Sequence, residues 1–221
     1  MTDYQSKQYK KVYDIFISKW YDIGLKIGLT PAGENILRTS VFKSLSPYIK
    51  KSDRILDLCC GTGTLTILLT RLLYKDCKII GVDLSSGQIA KAQKKNRYPN
   101  LTFAIMDAND LKFSKDYFDH AVISAALHEM DKTQRLNVLS EIHRVIKKEG
   151  IFLIFEHHEP SKILLRILYN FYLGFIENIT SHSSEMQRSI LKELKKTNFR
   201  ILKQTPIKNF LSFFQIILSK K

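Results

Sequence analysis

The 221-residue sequence predicts an α/β fold: a doubly wound, seven-stranded, mostly parallel sheet with an antiparallel edge, preceded by N-terminal helices. Three observations predict it. Short segments that are apolar throughout alternate with helical patterns, as in a parallel sheet covered on both faces. Acidic or polar residues recur at the ends of those segments, at Asp57, Asp83, Asp107, Ser124 and Glu156. Two strand-like stretches close the chain, which suits an antiparallel pair at the sheet edge.

Each element has a local reason. Tyr9, Val12, Tyr13, Phe16, Trp20, Ile23 and Ile27 fall at helical spacing within residues 4–28. Pro31 opens a second helix that runs to about Pro47. Ile55–Leu58 is a buried strand, and Thr62–Tyr74 a helix with Leu65, Leu68, Leu69 and Leu72 on its apolar face. Lys78–Asp83 is the second strand. Ser85 or Ser86 caps a helix reaching about Arg97. Strands at Leu101–Met106 and Phe118–Ala125 follow. Asp131 caps a helix over 132–148, Gly150 breaks it, and Ile151–Phe155 is strand five. Ile163–Ile176 reads as a helix with a wide apolar face, and 184–197 as a basic amphipathic helix. Phe199–Gln204 and Phe210–Leu218 are the closing strands.

Composition narrows the class. The chain is 44% hydrophobic and 25% charged, ordinary for a globular protein with a sizeable core. Cys59, Cys60 and Cys77 have no framework or zinc spacing, so reduced thiols in a cytoplasmic protein are expected. Met1–Lys11 is polar, so no signal peptide is expected, and no apolar run approaches a membrane span. The net charge is +14, and residues 160–221 hold eleven Lys/Arg against three Glu. That balance suits an anionic membrane surface, an anionic substrate or nucleic acid, or simply solvated lysines.

The stretch Asp57-Leu58-Cys59-Cys60-Gly61-Thr62-Gly63-Thr64-Leu65-Thr66 takes a buried strand through a glycine turn into a helix. Gly61 and Gly63 allow close backbone approach to a ligand. The dinucleotide fingerprint needs a third glycine where this chain has Thr66, and no Lys follows as in a phosphate-binding loop. Asp57 suits the cationic end of a ligand rather than a pyrophosphate. Asp83 can accept from both ribose hydroxyls, and Asp107, with Ala108, can accept from an adenine amino group. S-adenosylmethionine has all three parts.

On these motifs the chain resembles class I S-adenosylmethionine-dependent methyltransferases, over roughly residues 50–157. Asp57–Gly63 is similar to the first motif of that family, with Cys59 where glycine is commonest. Gly81-Val82-Asp83-Leu84-Ser85, Met106-Asp107-Ala108, Phe118–Val122 and Arg144–Gly150 resemble its later motifs, in order. The resemblance implies a Rossmann-like sheet with a helical substrate lid. It also implies one domain, with a helical cap (1–50), a cofactor-binding core (51–158), a lid (159–198) and closing strands (199–221). Val12-Tyr13-Asp14, Trp20-Tyr21-Asp22 and Arg38 resemble the N-terminal region of the ubiquinone/menaquinone-biosynthesis C-methyltransferases, which makes Tyr21 a candidate to face the sulfonium. After strand four this chain has Ser124-Ala125-Ala126-Leu127-His128-Glu129-Met130 instead of the distinctive segment of that group, which weighs against a quinone acceptor.

The sulfonium is already activated, so the protein's main task is alignment of a nucleophile in a dry site. A base is needed only for a protonated nucleophile, and His128 and Glu129 after strand four, with His157 and His158 after strand five, are the candidates. His157 and His158 are adjacent and cannot easily face one ion from a regular strand, so no metal is expected. Leu164, Leu165, Leu168, Phe171, Tyr172 and Phe175 suit a pocket for a hydrophobic or lipid-like acceptor, or contact with a membrane interface. Arg188, Lys192, Lys195 and Lys196 would then meet anionic head groups, placing the protein in the cytoplasm with peripheral contact at the inner membrane surface. The alternatives are an RNA or protein methyltransferase and a non-catalytic, cofactor-binding partner protein. Strand four lacks the Asn/Asp-Pro-Pro-aromatic turn of enzymes that methylate base amines, so nucleic acid is the weaker reading. A monomer or a homodimer is expected.

Overall fold

A computed structural model describes residues 31–158, 163, 166, 167, 182–207 and 214–221. Helix α1 (Pro31–Leu45) ends in a 3-10 turn at Ser46–Tyr48, where Pro47 stops the α-helix. Strand β1 (Arg54–Leu58), helix α2 (Thr64–Leu72), strand β2 (Lys78–Asp83), helix α3 (Ser86–Lys95) and strand β3 (Leu101–Ile105) follow. Then come β4 (Phe118–Ser124), a 3-10 turn at Leu127–Glu129, α4 (Lys132–Val145), β5 (Ile146–His157), α5 (Ser183–Lys196), β6 (Arg200–Pro206) and β7 (Phe214–Lys220). The helical pattern over residues 4–28, with Tyr21, lies outside the described residues. So does most of the 163–176 segment, where the described Ile163 and Ile167 are helical and 67% and 61% exposed.

The sheet order is β3-β2-β1-β4-β5-β7-β6. The first five strands are parallel, and β7 runs antiparallel between β5 and β6. This is the expected seven-stranded, doubly wound arrangement with an antiparallel edge. The chain leaves β1 toward β2 on one side and returns to β4 on the other. That reversal opens a crevice at the carboxyl ends of β1 and β4.

Alternation along the strands feeds two cores. Ile151, Leu153 and Phe155 join Leu65, Leu69 and Ile89 on the face covered by α1, α2 and α3. Phe152 and Ile154 join Leu139, Ile142, Met186 and Ile190 on the face covered by α4 and α5. From Gly150 onward both faces of β5 are buried, which explains the unbroken apolar run Ile151–Phe155.

The largest boundary difference from expectation is at the junction of α4 and β5. Helix α4 ends at Val145 instead of residue 148, and β5 begins at Ile146 instead of Ile151. Ile146 pairs with Phe118, whereas His120 pairs with Ile151, so Lys147–Gly150 bulges out of register. Glu149 takes a left-handed φ of 69° there. A Cβ on Gly150 would sit 2.5 Å from the Asp119 carbonyl, so only glycine fits. Tertiary pairing has overridden the helical propensity of Lys147-Lys148-Glu149.

Gly63 carries a similar burden. It caps α2 at φ 74°, and a Cβ would lie 2.5 Å from Cζ of the buried Phe103. The glycine is required by packing against β3, where the sequence suggested approach to a ligand. Gly63→Ala combines left-handed strain with a core clash and is expected to cost about 3 kcal/mol, read from the shift in urea midpoint at constant slope.

Candidate functional site

A cleft of about 620 Å³, counted to its open mouth, lies at the carboxyl ends of β1, β2 and β3. Cys59, Asp83, Leu84, Asp107, Ala108 and Glu129 of the sequence-derived candidates line it. Asp83 is fixed from both sides: Gly61 N donates to Oδ2 and Ser85 N to Oδ1, each at 2.9 Å. Neither bond exhausts the acceptor capacity of a carboxylate oxygen. Asp107 Oδ1 accepts from Asn109 N at 2.8 Å and from Asn109 Nδ2 at 2.9 Å, an Asx turn that sets the carboxylate's direction. Val82, Met106, Ala126 and Met130 supply apolar wall. Fixed carboxylates with apolar surface between them fit a ligand that has a sugar and a flat base.

Asp57 does not line this cleft. It is fully buried behind the glycine turn, and Thr66 Oγ1 donates to its Oδ2 at 2.7 Å. Thr66, which stands where a dinucleotide site has its third glycine, therefore ties α2 to β1. Oδ1 has no partner among the described residues. Burial pushes the Asp57 carboxyl up to about 7; the Thr66 bond and Arg38 oppose this and Asp83 adds to it. Such a carboxyl favours its ionised form only when a positive group comes near.

Cys59 adopts a left-handed φ of 52° on the cleft floor. Burial pushes its thiol well up, and the carboxylates of Asp83, Glu129, Asp57 and Asp107 add to the rise. Cys59 and Cys60 pack against opposite faces of the sheet, so their thiols face apart. Ser124 ends β4 beside Phe155 and is half-buried, but it is not on the cleft wall.

The other candidates gather on one buried knot. Glu156, 1% exposed, accepts from Leu127 N (2.9 Å) and His128 N (3.4 Å) at Oε2. Its Oε1 accepts from His157 N at 2.9 Å and lies 2.7 Å from His128 Nδ1. Burial alone would lift this carboxyl, yet the His128 charge and bond, with His157, hold it down at about 2. Glu156 is therefore ionised and accepts the His128 Nδ1 proton, which leaves Nε2 as the nitrogen that can take up a proton when the ring is neutral. That Nε2 lies 4.0 Å from Oε1 of Glu129 at the cleft. His157 packs edge-on to His128, with centroids 4.6 Å apart, and against Phe214. Burial and the His128 charge push His157 down to about 4, against the pull of Glu156, so its ring is neutral. One ligand-capable atom each from His128, Glu156 and His157 lie within 4.8 Å of one another. Glu156 already accepts four N–H groups, which accounts for the cluster as a hydrogen-bonded unit.

Sequence reasoning did not single out Asn109, Met130 or Gln134 on the cleft, or Glu156 as the anchor of His128. The Asp131-x-x-Gln134 capping box was a legible signal for the position of Gln134. No helix among the described residues is long and apolar enough to cross a membrane.

Comparison with known proteins agrees with this geometry. Residues 55–150 match the methyltransferase domain family. The chain is 29% identical over 220 residues to a demethylmenaquinone methyltransferase of Lactobacillus johnsonii, covering 96% of this chain and 88% of that one. It is 34% identical over 133 residues to an uncharacterized methyltransferase of Synechocystis, an alignment spanning 60% of each chain. A structure of an S-adenosylmethionine-dependent methyltransferase from Methanosarcina mazei superposes with a TM-score of 0.65 at 20% identity, covering 80% of this chain and 96% of that one.

Proposed function

Because the chain is a class I S-adenosylmethionine-dependent methyltransferase, we propose that it methylates a small, lipid-like acceptor of the quinone class. The observation that carries the acceptor class is the alignment to demethylmenaquinone methyltransferase. It runs through 96% of the chain and so extends beyond the cofactor-binding core, despite the divergent 124–130 segment. The apolar pattern of the 163–176 segment supports the same reading.

Asp83 would hold the ribose hydroxyls, and Asp107 with Ala108 the adenine edge. Leu84 and Cys59 would pack along them. Asp57, behind the turn with an unmatched buried oxygen, would balance the ligand's cationic end, with Gly61 and Gly63 shaping the turn. Tyr21 completes the proposed set, while Ser124, off the cleft wall, is left out of it. When bound, S-adenosylmethionine supplies an electrophilic methyl on a sulfonium, open to in-line displacement.

The protein's chemical contribution is a proton acceptor in a dry wall. We assign His128 as the general base, oriented by Glu156 through Nδ1, with its Nε2 4.0 Å from Oε1 of the cleft-lining Glu129. A hydroquinone acceptor that gave its hydroxyl proton to Nε2 would become electron-rich at its ring carbons; the new carbon–carbon bond would form as the methyl–sulfur bond breaks, and loss of the ring C–H proton would restore the aromatic hydroquinone. Glu129 extends the polar edge, and neutral His157 backs the imidazole without competing for the proton. The basic face of α5, with Arg188, Lys192, Lys195 and Lys196 exposed, suits a membrane surface from which a lipid-like acceptor is drawn.

The test uses methyl-labelled S-adenosylmethionine with reduced demethylmenaquinone in detergent micelles, and bulk RNA in parallel. Label in the quinone fraction is expected. Label only in RNA, or none in either, overturns the acceptor assignment.

A further inference from the structure

A second heavily bonded buried charge lies outside the cleft. Arg135 on α4 is 0% exposed, and its guanidinium clamps Glu193 on α5 through Nε and Nη2, both at 2.9 Å. The third nitrogen, Nη1, does something different. It donates to the carbonyl of Met130 at 2.7 Å, in the segment between the 3-10 turn and α4. Ser189 Oγ donates to Glu193 Oε1 at 2.7 Å, and Glu185 lies 3.5 Å from Nη2.

Met130, Glu129 and Gln134 form one wall of the cofactor cleft. That wall is held from two further sides. Glu156 holds the Leu127 and His128 amides from below, and His182 N, just before α5, donates to the His128 carbonyl at 2.6 Å. Helix α5 is therefore attached to the 127–130 turn twice, once through its N-terminal end and once through Arg135. It also receives the chain directly after residues 159–181, the stretch proposed above to cover the acceptor.

We infer that Arg135 is a positioning residue: with Glu193 it locks α5 to the 127–130 turn and thereby sets the cofactor-cleft wall. The inference rests on the methyl-donor reading of the cleft. Packing alone does not require this charge pair. Met186, Ile190 and Leu194 already bury α5 against the core, and a buried ion pair is commonly replaceable by apolar residues without loss of stability. What apolar residues cannot replace is the bond to the Met130 carbonyl. A lysine cannot replace it either, because a single ammonium lacks the planar fork that bonds Glu193 twice and Met130 at once.

The experiment therefore separates stability from positioning. Arg135→Met/Glu193→Leu removes both charges, and Arg135→Lys keeps the charge balance. Thermal midpoint and calorimetric affinity for S-adenosylhomocysteine, the demethylated donor, are measured for wild type and both variants. Folded variants with midpoints near wild type and affinity lowered about tenfold are expected. KM for the methyl donor should rise while kcat at saturation changes less than threefold. If either variant is folded and binds like wild type, the positioning role is overturned. It is equally overturned if affinity falls only in proportion to lost thermal stability in both. Wild-type protein that fails to bind S-adenosylhomocysteine defeats the methyl-donor reading itself, a result distinct from wild-type binding that the variants share.

Discussion

Asp83→Ala is expected to weaken binding of S-adenosylhomocysteine at least hundredfold, close to 2.8 kcal/mol. Two losses combine. The cleft loses its acceptor for paired hydroxyls, and two backbone donors lose theirs, since Gly61 N and Ser85 N both bond this carboxylate. The first donor belongs to the glycine turn after β1, and the second precedes α3, where Ser85 caps the helix by accepting from Gln88 N. The side chain thus braces the walls it would also serve. Asp83→Asn sharpens the test. An amide keeps the shape, but its NH2 must face either Gly61 N or Ser85 N, donor against donor. The asparagine variant is expected to bind at least tenfold more weakly than wild type. Calorimetry on folded protein decides the matter, and unchanged affinity in Asp83→Ala would refute the ribose assignment.

The legible parts of this site are those set by local sequence. Asp83 and Asp107 stand at strand ends, and a strand end in a parallel sheet faces the crevice whatever the rest of the chain does. The capping box at Asp131 and Gln134 is likewise local. What stayed hidden depends on pairings distant in sequence. Asp57 looked like a ligand-facing carboxylate, but the helix after the turn folds back and delivers Thr66 to it. Gly63 looked like room for a ligand, but the room is taken by Phe103, forty residues on in β3. His128 and Glu156 are 28 residues apart, and Arg135 and Glu193 are 58 apart. No spacing rule reaches such partners; only the sheet order brings β5 beside β4 and α5 onto α4. The overshoot of α4 has the same origin, because Ile146 answers to Phe118 across the sheet and not to its own helix.

His128→Asn is expected to lower kcat by about 10²- to 10⁴-fold, the usual range for loss of a general base. Asparagine is the informative choice. Its Nδ2 can still donate to Glu156 Oε1, so the ionised, fully buried carboxylate keeps a partner and the knot holds. Alanine would leave that charge underbonded and confuse a folding defect with a chemical one. The variant should bind S-adenosylhomocysteine within threefold of wild type, since His128 is buried and is not among the residues lining the cleft. His157 cannot take over the role, because its ring is held neutral in the wall and packs edge-on behind His128. A variant that keeps wild-type kcat would remove His128 from the chemistry and leave alignment of the acceptor as the protein's whole contribution.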